Sequence, residues 1–110
     1  MKRWTVKDKA DREIYLTEER WEHIVAKYSE LRGQREAVLQ TLRIGRRKQT
    51  KRDPRSYCYY RRVTTLQPPY NALVVLVAFR YQAVSGGEPL PNNFVVTAWG
   101  DVYTNAVGDL

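Results

Sequence analysis

At 110 residues, with 43% hydrophobic and 12% aromatic content, the chain has the makings of one folded domain; two cores or a disordered basic tail are excluded. Its net charge of +7 is placed unevenly: residues 43–62 carry nine of the 19 basic residues against a single acid, Asp53, so that segment is +8 and the rest is −1. A single cysteine, Cys58, excludes an internal disulfide, and the longest apolar run, 72–79, is far too short for a membrane-spanning helix.

Residues 1–13 are polar and mixed in charge. Lys7, Asp8 and Lys9 stand where a secretory signal would have its apolar run, so a cytoplasmic protein without a membrane partner is expected. Ile14-Tyr15-Leu16 is the first apolar patch, and Thr17 follows as a helix N-cap whose hydroxyl can accept a free amide. Glu18 and Glu19 suit the positive end of the helix dipole. Trp21, Ile24, Val25 and Tyr28 then recur at helical spacing along one apolar face. Gly33 ends this region, and a shorter helix is expected over about 35–42, burying Val38, Leu39 and Leu42.

Beyond Leu42 the texture becomes strand-like. A basic strand over 43–50 runs into the turn Lys51-Arg52-Asp53-Pro54, and a Tyr-, Val- and Thr-rich strand follows over 56–66. Pro68-Pro69 precedes an apolar strand over about 71–81, which reads as a buried central strand. A loop with Gly86-Gly87, Pro89 and Pro91 leads to a last strand over 94–99. The expectation is a single α+β domain over 1–110: two N-terminal helices packed on a four-stranded antiparallel sheet, with 1–13 and 100–110 peripheral. One sheet face would then be free for a ligand.

The basic stripe comprises Arg43, Arg46, Arg47, Lys48, Lys51, Arg52, Arg55, Arg61 and Arg62, interleaved with Tyr57, Tyr59 and Tyr60. Seven of the nine cations are Arg, which suits forked pairing with phosphates, and the rings offer flat partners for bases. RNA or another polyanion is the expected partner; the plainer alternative is a solvated edge whose charges block sheet-to-sheet pairing. Alternation puts Cys58, Tyr60 and Arg62 on one face and Tyr57, Tyr59 and Arg61 on the other, without deciding which face meets the helices. Arg80, ending the apolar strand, either caps it in solvent or supplies a fixed cation to a site. One His and one Cys give no metal cluster, and no cofactor motif is present. His23, the one residue with an unperturbed pKa near neutrality, lies about 200° round the helix from Trp21, as a solvated histidine would.

Three pieces, Ile14-Tyr15-Leu16-Thr17-Glu18-Glu19-Arg20-Trp21-Glu22-His23-Ile24, Tyr57-Cys58-Tyr59-Tyr60-Arg61-Arg62 and Val95-Val96-Thr97-Ala98-Trp99, carry a resemblance over roughly residues 14–99. Together they resemble small phage- and bacteria-encoded proteins of the barnase/EndoU/colicin/RelE-like ribonuclease superfamily. The resemblance implies the same two-helix, four-strand plan and a toxin-type, metal-independent endoribonuclease. In that chemistry the ribose 2′-hydroxyl attacks phosphorus and leaves a 2′,3′-cyclic phosphate. His23 would then transfer a proton, Arg62 or Arg61 and Arg80 would hold the phosphate, and Thr97 would hydrogen-bond it. Tyr60 would stack a base or assist proton transfer, and with one His the other half of an acid/base pair falls to a Tyr, a Lys or a carboxylate. Two further readings stand beside it: a nucleic-acid-binding module without turnover, and a regulatory domain whose stripe docks an acidic, antitoxin-like protein.

Overall fold

The computed structural model describes residues 2–104. The chain runs β1 (Arg3–Lys7), β2 (Glu13–Thr17), α1 (Glu18–Lys27), a 3-10 turn (Ser29–Leu31), α2 (Arg35–Ile44), β3 (Arg46–Gln49), β4 (Ser56–Arg62), β5 (Ala72–Gln82) and β6 (Leu90–Asp101). The class is α+β, but the expected four-stranded antiparallel sheet is corrected. The sheet has six strands in the order β1-β2-β6-β5-β4-β3, and it is mixed because β2 runs parallel to β6 where Tyr15 meets Phe94.

Of the two additional strands, β1 lies in the segment expected to be peripheral, and β2 is formed by the apolar patch Ile14-Tyr15-Leu16 with Glu13 and Thr17. Trp4 and Val6 alternate with Arg3, Thr5 and Lys7, and Ile14 and Leu16 with Glu13, Tyr15 and Thr17; β1 buries Val6 with Trp4 half-buried, β2 buries Ile14 and Leu16, and both strands show mixed polarity in sequence. The turn between them is held by Asp8, whose carboxylate accepts the amides of Ala10 and Arg12 at 2.9 and 3.0 Å. Asp11 takes a positive φ of 65° there, a conformation Asp tolerates. At the other end of the chain, Gly100 and Asp101 complete β6, while 105–110 lie outside the described residues.

Helix α1 begins as its sequence directs, with Thr17 Oγ1 accepting the Arg20 amide at 3.1 Å. Strand β5 is central, and Leu73, Val75 and Val77 meet Val38, Leu39 and Leu42 of α2 in the core. Helix α2 packs against β1, β4 and β5 together. The sheet therefore curls around α2 until Asp8, just past β1, is hydrogen-bonded to Tyr59 on β4. Gly45 makes the direct passage from α2 into β3 possible: a Cβ there would run into the Thr41 carbonyl and lie 2.9 Å from that of Tyr60. Among the described residues no helix is long and apolar enough to cross a membrane.

Candidate functional site

The strand register divides the basic stripe between two faces. Arg47 pairs with Tyr59 and Arg46 with Tyr60, and Tyr59 is in the core at 1% exposure. Tyr57, Tyr59, Arg61 and Arg47 consequently point toward the helices, whereas Arg46, Lys48, Cys58, Tyr60 and Arg62 point outward. Burial raises the Cys58 thiol pKa, with Lys48 partly opposing it.

The inward cations are committed to the fold. Arg61 donates from Nε to Thr41 Oγ1 at 2.9 Å and from Nη2 to the Ala37 carbonyl at 3.1 Å. Burial lowers its pKa, yet an Arg stays charged and therefore needs these partners. Arg47 lies over the Tyr57 ring at 3.3 Å and donates to the Tyr59 hydroxyl at 3.0 Å. Tyr59 in turn donates to Asp8, whose second link is the Arg12 guanidinium at 2.8 Å. Burial and the adjacent carboxylate push the Tyr59 pKa far up. For Asp8 burial opposes ionisation, but the Tyr59 hydroxyl, the Arg12 and Ala10 amides and the Arg12 guanidinium outweigh it and hold the pKa below the ordinary carboxylate value.

Arg80 is likewise engaged. It donates to Asp53 at 2.9 Å and to the Arg55 and Phe79 carbonyls, fixing the β3–β4 turn against β5. The Arg55 amide and then the Ser56 hydroxyl and Arg80 hold the Asp53 pKa down. Arg43 bonds Gln40 at 3.2 Å and lies 3.8 Å from Glu36. Lys48, Lys51, Arg52 and Arg55 are exposed along β3 and its turn.

Cations from separate chain segments line one concavity of about 360 Å³, with walls from Lys9, Ile44, Gly45, Arg46, Tyr60, Arg61, Arg62 and Tyr103. A neighbouring concavity of about 460 Å³ shares Lys9, Gly45, Arg46 and Tyr60 and has Asp8, Arg12 and Arg47 in its wall. Lys9, Arg46 and Arg62 are exposed, and Arg62 stacks over the Tyr103 ring at 4.5 Å. The curl of the sheet creates this meeting, since Lys9 belongs to the β1–β2 turn and the others to β3 and β4.

Of the residues expected to act together, Tyr60, Arg62 and Thr97 share the outward face. Thr97 is brought there by a bulge between Leu76 and Val77, which sets Val95 and Ala98 in the core and Thr97 opposite Leu76. His23 does not join them: it is exposed on α1 and lines neither concavity. Sequence reasoning missed Lys9, Tyr103 and the Asp8–Arg12 turn. The alternation of Trp4 and Val6 with Ile14 and Leu16 about a polar turn was the available signal for the hairpin; nothing local marks Lys9 or Tyr103. Among the described residues no group of three or more His, Cys, Asp or Glu is placed to hold a metal ion. Comparison with protein-family models, curated proteins and solved structures gave no match.

Proposed function

We propose that the protein binds RNA through its phosphates, along the outward face of β3 and β4 and into the concavity below them. The observation that carries this reading is the convergence of Lys9, Arg46 and Arg62, from three chain segments, on one concavity beside Tyr60 and Tyr103. Asp8, in the wall of the neighbouring concavity, is buried and paired with Arg12. Phosphates attract such a surface without a cofactor or metal.

Fluorescence anisotropy with a labelled RNA tests it. If Lys9, Arg46, Lys48 and Arg62 each neutralise a phosphate, the log–log salt slope is about −2.8, a loss of about 50-fold between about 50 and about 200 mM salt. The double variant Arg46→Ala/Arg62→Ala should reduce the slope by about 1.4. Absence of binding at low salt, or an unchanged slope in that variant, overturns the reading.

RNA cleavage has one observation in its favour, the shared face of Tyr60, Arg62 and Thr97. Its proton-transfer residue, His23, is exposed on α1 and outside both concavities, so binding without turnover is the reading adopted. RNA incubated with the protein in EDTA should stay intact, and His23→Ala should leave affinity unchanged. Fragments ending in cyclic phosphates, lost in His23→Ala, would replace binding with catalysis.

A further inference from the structure

The outward face carries more than cations. One cross-strand row runs Arg46, Tyr60, Val74, Trp99, and the next runs Lys48, Cys58, Leu76, Thr97. All three ladders are antiparallel, so neighbours in a row sit about 5 Å apart, and Tyr60 and Trp99 are rooted about 10 Å apart with Val74 between them. Both rings are half-buried, and they flank a valine only 6% exposed. Trp99 is steadied by Tyr28, whose ring centroid is 6.4 Å away. The core cluster is built from the opposite face of β4, β5 and β6, so these rings are not core packing.

Phosphate recognition alone has no use for such rings. A duplex keeps its base faces stacked on one another, whereas an unpaired strand offers each base as a flat partner. We infer that the ligand of this face is single-stranded RNA, with bases stacked on Tyr60 and Trp99 while Arg46, Lys48 and Arg62 pair with its phosphates. The inference rests on the RNA-binding reading above and adds the ligand's strandedness and the role of the rings. The competing role for Tyr60 is structural, a lid that keeps water from Val74.

The test compares three probes by anisotropy: a labelled single strand of about twelve nucleotides, the same sequence as a duplex, and inorganic polyphosphate as competitor. The single strand should bind the wild type about tenfold or more tightly than the duplex and should resist polyphosphate. Tyr60→Leu keeps an apolar lid over Val74 but loses the flat face; it should weaken single-strand binding about tenfold and leave polyphosphate binding unchanged, while Tyr60→Phe restores the wild-type value. Thermal melting by circular dichroism verifies that each variant is folded, and if Tyr60→Leu is not, quenching of Trp99 fluorescence in wild type against Trp99→Phe reads the same contact. Equal affinity for single strand and duplex, or an unaltered Tyr60→Leu alongside a weakened Arg46→Ala, overturns the stacking inference and leaves phosphate binding standing. Failure of all three probes removes both.

Discussion

Removing the Tyr59 hydroxyl should expose how strongly the curled sheet depends on one polar link. In Tyr59→Phe the ring stays in the core, but Asp8 loses a buried donor and Arg47 loses its acceptor. Asp8 keeps the amides of Ala10 and Arg12 and the Arg12 guanidinium, so its charge is not orphaned. Arg47 keeps its stack on Tyr57 and Phe79. The loss is therefore that of one charge-assisted hydrogen bond plus a weaker one, about 2–3 kcal/mol. In urea, with a slope of about 2 kcal/mol/M, the unfolding midpoint should drop by about 1 M or slightly more. The pH dependence gives an independent reading. Tyr59 has a raised folded pKa, so its contribution is complete below about pH 10 and is lost as pH rises beyond the unfolded tyrosine value. Tyr59→Phe should lack that alkaline component. Asp8 has a depressed folded pKa, so its contribution is present above about pH 4 and lost as pH falls toward the folded value. That acid loss should shrink when the Tyr59 donor is gone. A midpoint shift below about 0.3 M, with unchanged acid and alkaline limbs, would refute the claim that this network closes the sheet.

Arg61→Ala should lower stability by about 2 kcal/mol, because the bonds to Thr41 and the Ala37 carbonyl are lost. It should change the RNA salt slope less than Arg62→Ala does, which paired urea and anisotropy measurements on adjacent residues will decide. Gly45→Ala should cost about 2–3 kcal/mol in urea unfolding, since a Cβ meets two fixed carbonyls, and a loss under about 0.5 kcal/mol would mean the α2–β3 junction yields easily.

Local chemistry was legible where it was self-contained. Thr17 caps α1 through its own hydroxyl, and Gly33, with φ of 77°, ends the 3-10 turn region as a glycine can. The apolar run of β5 reads as a central strand because burial on both faces leaves no alternation to find. The first hairpin was missed because β1 buries only Val6 fully and Trp4 in part, and the polar residues Arg3, Thr5 and Lys7 around them disguise it. Arg80 illustrates the limit at the site. Its sequence context allowed a solvent cap or a site cation, and its bond to Asp53 is a contact across 27 positions that no local pattern encodes.

The sequence alone determined the α+β class and the concentration of positive charge in residues 43–62, since composition and periodicity are properties of the chain itself. The tertiary structure decided which of those cations can meet a ligand. Alternation assigns side chains to two faces but not to inside and outside, and packing on α2 turned Arg47, Tyr59 and Arg61 inward. The bulge at Leu76 and Val77 set Thr97 beside the outward residues, and the curl of the sheet brought Lys9 to Arg46 and Arg62. Each of these depends on contacts between distant segments, whose free energy exists only once the core that juxtaposes them has formed.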